Sequence, residues 1–235
     1  MAGRRQADKR QSVLHRASRV TLPDAAHYRG FADLARAQVR GRDYEIHVRR
    51  RAHSSVAVIA PHAGGIEDGT SEVARAIAGD DFNLYLFEGT RRSRNYTALH
   101  LTSHLFDEPE CLDLIASCHF VVAIHGCAGR DQRVFVGGRD LSLKEQLATA
   151  LRTEALAVHA DGHPYPAVHP ENICNRGARR QGVQLEITHP LRRSMEAVRL
   201  ASAVRAVLGA AAASLTGSAN GGSRGAATAT LPPRR

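Results

Sequence analysis

Two stretches of this chain, VAVIA at 56–60 and FVVAI at 120–124, are apolar without interruption. A strand with one wet face alternates; a strand covered on both faces does not. Both stretches are too short for a buried helix and are rich in β-branched residues, so they predict strands inside a sheet with helices on both sides. Between and after them, helix-like and strand-like patterns take turns. YRGFADLARAQV (28–39) places Tyr28, Phe31, Leu34 and Ala35 on one helical face. YEIHVR (44–49) alternates as a strand does. TSEVARAIAG (70–79) predicts a helix capped by Thr70 or Ser71 and stopped by Gly79. FNLYLFE (82–88), RVFVGG (133–138), ALAVHA (155–160) and VQLEIT (183–188) predict further strands. PECLDLIASC (109–118), opened by Pro109, and LSLKEQLATALRT (141–153) predict helices. LRRSMEAVRLASAVRAVLG (191–209) predicts a closing helix with Gly209 as its stop.

The alternation predicts an α/β fold with a mostly parallel or mixed central sheet. The expected division is an Arg-rich, flexible segment at 1–24, one α/β domain at 25–209, and a disordered Ala/Gly/Ser/Thr-rich tail at 210–235. No apolar run approaches the roughly 20 residues that span a bilayer, so no membrane association is expected. The N-terminal stretch is basic without an apolar centre, so no secretory signal is read there. Cys111, Cys118, Cys127 and Cys174 form no C-x-x-C. With no redox or zinc-ribbon spacing, they fit a reducing, cytoplasmic setting.

Open α/β sheets gather ligands at the carboxyl ends of their strands. His62 follows VAVIA, and His125 follows FVVAI. Glu67 follows His62 across a glycine-rich turn, PHAGGIEDG. Glu186 shares one face of its strand with Gln184 and Thr188, and a carboxylate buried there is costly unless paired or placed beside a metal or cavity. Two imidazoles and a carboxylate are a common donor set for catalytic zinc, with a second carboxylate left to move protons. That assigns His62, Glu67 and His125 as ligands and Glu186 as base. Each also has a plainer explanation: a hydrogen-bonded strand-end histidine, a turn acid favouring the helix that follows, a packed His125, a Glu186 paired with Arg192.

Other chemistries find less support. The glycine-rich turn lacks the lysine of a P-loop, no G-x-G-x-x-G follows a strand, and no G-x-S-x-G is present. The net charge of +9 is nearly all arginine, Lys9 and Lys144 being the two lysines. It raises a polyanion or nucleic-acid binding function as an alternative. Aromatic residues at 5% and the absence of tryptophan disfavour base-stacking platforms and with them nucleic acid.

The motifs APHAGGIEDGTSEVARAIAG, LYLFEG, LHLTSHLFDEP, VAIHGC, VGG, NICNRG and GVQLEI, in this order over about residues 28–205, resemble the poly-γ-glutamate hydrolase family. That family includes phage-encoded zinc enzymes and bacterial relatives, some labelled phage-related replication proteins. The resemblance implies a three-layer α/β/α sandwich, like a compact zinc carboxypeptidase, and hydrolysis of γ-glutamyl amide bonds in an anionic polymer. It implies one Zn²⁺ on His62, Glu67 and His125, with Glu186 as general base. A small-substrate γ-glutamyl or N-acyl amidohydrolase is the second alternative. One departure stands out: family members often carry glycine after the motif histidine, where this chain has Ala63, a strain if that backbone needs positive φ.

A polymer with one free carboxylate per residue calls for arginine forks. Arg176 and Asn175 in NICNRG, and Arg192 after the Glu186 strand, are the substrate-binding candidates. Arg91, Arg92 and Arg94 are read as a solvated loop, and His100 and His104 receive no assignment.

Overall fold

The computed structural model describes residues 28–221. The expectation for 1–24 lies outside them. In chain order the elements are α1 (Phe31–Ala37), β1 (Tyr44–Arg49), β2 (Val56–Gly64), α2 (Thr70–Ala78), β3 (Asn83–Gly89), α3 (Asn95–Leu99), α4 (Pro109–Ile115), β4 (Phe120–Cys127), β5 (Val134–Gly138), α5 (Leu141–Thr153), β6 (Val158–His159), a 3-10 turn (Ile173–Arg176), β7 (Val183–Thr188), α6 (His189–Arg192) and α7 (Glu196–Gly221).

One seven-stranded sheet runs in the order β1-β3-β2-β4-β7-β5-β6. The central strands β3, β2, β4 and β7 are parallel. Antiparallel pairing brings in β1 beside β3 and β5 beside β7. The sheet is therefore mixed, with its four parallel strands in the middle. Every residue of β4 except Gly126 is buried, as its uninterrupted apolar run requires, and every residue of the alternating β7 is buried too, Gln184 and Glu186 included.

Two cores flank the sheet. On one face Val58, Ala60, Val122, Ile124, Leu185 and Ile187 pack against Val73 and Ile77 of α2, Leu143 and Leu147 of α5, and Leu200, Val204 and Leu208 of α7. On the other, Ala57, Ile59, Tyr85, Phe87, Val121 and Ala123 pack against Leu34 of α1, Leu99 of α3 and Leu114 and Ile115 of α4. The three-layer α/β/α sandwich is thus present. Side-chain caps fix two helix starts. Glu108 accepts from the amides of Glu110 (3.1 Å) and Cys111 (2.8 Å) ahead of α4, and Asp140 accepts from Leu143 (3.1 Å) at α5.

Three sequence expectations change. The cap of α2 is Gly69 at φ 91°, not Thr70 or Ser71; Thr70 donates instead to the Glu67 carbonyl at 2.7 Å, tightening the preceding turn. The closing helix does not stop at Gly209 but continues to Gly221, so residues 210–221 of the expected disordered tail are helical. The alanines on either side of Gly209 carry the helix through it, alanine being the best helix former. The segment Glu196–Leu215 is also long and apolar enough to cross a membrane by length and composition alone. One stripe of it packs on the sheet, with Leu200, Val204 and Leu208 completely buried, while Val198 is exposed. Each such burial is worth about 1.5–3 kcal/mol.

Candidate metal centre

Strict alternation along β2 would send His62 to the same face as Val58 and Ala60. It does not go there. The β2–β3 register pairs Ala60 with Leu86 but Ala63 with Glu88, three residues against two. This bulge falls on Pro61 and His62, a position that tolerates a proline without an amide proton. Ala63 then returns to the face of Ala60. His62 is delivered to the opposite face, where its Nε2 lies 2.7 Å from the Leu101 carbonyl and its ring meets Phe106 edge-on. His125 and Glu186 reach that same face without a bulge, because they are directly paired across β4 and β7.

The turn after β2 returns Glu67 to His62. Gly64 (φ 61°) and Gly69 (φ 91°) hold left-handed conformations at its two ends. The Glu67 amide donates to the His62 carbonyl at 2.9 Å. One carboxylate oxygen of Glu67, Oε2, accepts from the Gly126 amide at 2.7 Å, which leaves Oε1 facing His62 Nδ1 at 3.1 Å. Ala63 lies within the strand with no positive φ, so the departure from glycine there introduces no strain.

Three donors converge. His62 Nδ1 and His125 Nδ1 are 3.1 Å apart, and His125 Nδ1 lies 3.7 Å from Glu67 Oε2. All three residues are buried. Tetrahedral zinc with bonds of 2.0–2.1 Å separates its ligand atoms by about 3.3 Å, so the separations seen match that donor set. The second nitrogen of His62 is committed to Leu101, which assigns it the proton and turns a bare Nδ1 lone pair inward. Burial and the neighbouring His62 hold the His125 imidazole well below its ordinary pKa. Two imidazoles and a carboxylate facing one another are a donor set that a divalent metal satisfies at once.

Glu186 lines the same cleft, a cavity of about 580 Å³ walled also by Tyr96, His100, Cys127, Tyr165, His189 and Arg192. Burial raises the Glu186 pKa well above the ordinary carboxylate value, and the Glu67 charge adds to it; a hydrogen bond from Gln184 and the charge of Arg192 oppose the shift. Gln184 Nε2 donates to Glu186 Oε1 at 2.8 Å, while Gln184 Oε1 accepts from Asn172 Nδ2 at 2.9 Å. Gln184 was legible as a neighbour of Glu186 from the period of two, yet its part in fixing the carboxylate was not read. His100 stacks on Tyr96 with ring centroids 4.5 Å apart and lies over His62 at 4.1 Å; burial, with His62 beside it, lowers its pKa to about 3. Burial raises Tyr165 and Cys127 each to about 12.

The remaining candidates part ways. Arg192 lines the cleft. Asn175 does not: it is completely buried, its Nδ2 donates to the carbonyls of Ala167 (2.8 Å) and His169 (2.9 Å), and its Oδ1 accepts from the Gly182 amide (3.1 Å). An amide so fully engaged locks the 161–182 segment and has nothing left for substrate. Arg176 is also outside the cleft, 3.6 Å from Glu171. Arg91 is not a free loop cation but pairs with Asp43 at 2.7 Å, whereas Arg92 and Arg94 are exposed. His104 packs near His169, away from the cleft.

Comparison with known proteins places the chain in a family. Residues 28–204 match the family described as poly-gamma-glutamate hydrolase. The chain belongs to the poly-γ-glutamate hydrolase family. A solved structure of a bacteriophage poly-gamma-glutamate hydrolase superimposes with a TM-score of 0.75 at 30% identity, over 80% of this chain and 98% of that one. A zinc-free apo structure of YndL superimposes with a TM-score of 0.72 at 29% identity, over 78% of this chain and 98% of that one. The UPF0714 protein YndL of Bacillus subtilis (strain 168) is 38% identical over 156 residues, 65% of this chain and 60% of YndL. The chain thus spans about three fifths of that curated relative.

Proposed function

We propose that this chain is a zinc-dependent hydrolase of γ-glutamyl amide bonds, acting on poly-γ-glutamate. The observation that carries the reading is the convergence of His62 Nδ1, His125 Nδ1 and the Glu67 carboxylate in a cleft shared with Glu186. Family membership and the zinc-free description of a YndL structure support the substrate and the metal. His62, Glu67 and His125 would hold the ion, which would supply Lewis acidity to the reaction.

The chain's own groups do the rest. Gly126 fixes one oxygen of Glu67 and Leu101 fixes the tautomer of His62, so the donors are preorganised. Glu186 takes a proton from the attacking water and gives it to the leaving nitrogen, a task suited to a carboxylate whose proton affinity is raised by burial. Gln184, itself held by Asn172, keeps one oxygen of Glu186 in place through that exchange. Tyr96 and His100 wall the cleft and limit water.

The test is size-exclusion chromatography of poly-γ-glutamate incubated with the purified protein. Shortening of the polymer that a chelator abolishes and added zinc restores is the expected result. Polymer left intact by zinc-loaded protein, or shortening indifferent to chelation, refutes the reading.

A further inference from the structure

Arg192 is unlike the other arginines of the fold. It is 8% exposed. Glu67, Asp68 and Glu186 act on its charge from beyond pairing distance, and none of them is joined to it in an ion pair among the described residues. A guanidinium so buried is costly and persists only where structure or function compensates. Part of the compensation is visible. Nε donates to the Asp68 carbonyl at 2.7 Å, and Nη1 donates to the carbonyls of Ile187 and Cys127. Three carbonyls therefore hold the guanidinium at a fixed angle. Nη2 finds no acceptor among the described residues.

The seat is built for this side chain. A Cβ added to Gly126 would lie 2.4 Å from Arg192 Cζ and 2.7 Å from Nη2, so only glycine lets the guanidinium lie across β4. Gly69 would meet the Arg192 stem at 3.0 Å. Gly126 is also the residue whose amide holds Glu67 Oε2, so the guanidinium and the candidate metal ligand share one backbone unit. Arg192, Gly126, Glu67, His62 and Glu186 line one cavity.

We infer that Arg192 is the specificity-determining anion subsite of the cleft. Its free edge binds the α-carboxylate that flanks the scissile amide, selecting γ-glutamyl substrates over neutral amides. The inference rests on the hydrolase reading for its substrate and names the group that recognises it. A substrate carboxylate supplies the direct partner that Nη2 lacks, and a preset guanidinium loses little freedom on binding it. Nε and Nη1 are already committed to carbonyls, so the contact is a charge-assisted hydrogen bond from Nη2, stronger to an ionised carboxylate than to the neutral carbonyl of a carboxamide.

The test uses two γ-linked glutamyl tetramers, one with free α-carboxylates and one with α-carboxamides. They are offered to zinc-loaded wild type, Arg192→Gln and Arg192→Lys, with folding and zinc content verified. In wild type kcat/KM should favour the carboxylate tetramer by about 10- to 100-fold, the scale of a charge-assisted hydrogen-bonded pair. Arg192→Gln should bring that ratio close to one, with Arg192→Lys in between, because the carboxylate tetramer loses far more rate than the carboxamide tetramer does. Equal loss on both tetramers, or a ratio unchanged in Arg192→Gln, overturns the inference and leaves the hydrolase reading standing. Binding of the same tetramers to Glu186→Gln protein separates the two readings. Carboxylate preference that vanishes on adding Arg192→Gln supports the subsite even if no tetramer is cleaved; equal binding of both tetramers overturns it.

Discussion

His62 Nδ1 and His125 Nδ1 face each other at 3.1 Å inside a buried cluster, with the Glu67 carboxylate as the third donor. The two histidines come from neighbouring parallel strands, and they meet only because β2 bulges at Pro61 and His62. The Leu101 carbonyl occupies the other nitrogen of His62, so its Nδ1 presents a lone pair to the cluster. An arrangement of bare donors is stable when a cation sits among them.

Replacing Glu186 by Gln keeps the shape of the side chain and removes its basicity. Metal content should remain that of wild type, because Glu186 is not one of the three converging donors. The rate of γ-glutamyl hydrolysis should fall by about 10²–10⁴-fold in kcat. Elemental analysis and a steady-state assay on one preparation check both halves.

Gln184→Leu removes a hydrogen bond that favours the charged form of Glu186. The sign follows directly: without that donor the carboxylate binds its proton more tightly, so its pKa rises further. A base must be deprotonated to act, so the acidic limb of the kcat/KM profile should move to higher pH, with metal content unchanged. A pH–rate profile that stays in place, or moves down, contradicts the assigned contact.

Asn175 belongs to the scaffold rather than to the cleft. Asn175→Ala strands the carbonyl of Ala167 and the amide of Gly182, while the His169 carbonyl keeps the Asn172 amide. Each buried polar group left unpaired costs about 1–3 kcal/mol. Urea unfolding should show a loss on the order of 3 kcal/mol, with the zinc site still able to fill. A substrate-binding role would instead raise KM at unchanged stability.

Much of this was written in the sequence. The uninterrupted runs in β2 and β4 marked the centre of the sheet, and the bounds of α5 and β7 follow from pattern alone, because amphipathic period and cap coincide there. The convergence of His62, Glu67 and His125 was anticipated from their chemistry and from the two apolar runs that each lead into a histidine. The face of His62 was not legible. Period two sends it the wrong way, and a bulge is a property of the β2–β3 pairing rather than of either strand's own sequence. Asn175 and Arg176 were misplaced for a related reason: a motif tells which residues belong together, and tertiary hydrogen bonds decide which of them face a cleft. Gly209 failed as a stop because a glycine ends a helix only where the chain also turns away.

The docking of α7 has its own consequence. Val204 is completely buried between this helix and the sheet. Val204→Ala removes two methyl groups from a close-packed core and should lower stability by about 1–3 kcal/mol in thermal or urea unfolding of the purified protein. An unchanged midpoint would mean that this helix is not seated on the sheet.

The central claim is that His62, Glu67 and His125 jointly hold one divalent ion. Its most direct test is elemental analysis of protein purified with zinc and dialysed against metal-free buffer, for wild type, His62→Ala and His125→Ala. One zinc per chain in wild type and a loss of stoichiometric zinc in both variants is the result this account predicts. Wild-type protein that hydrolyses poly-γ-glutamate while carrying no metal, or a His62→Ala variant that retains a full equivalent, would contradict it.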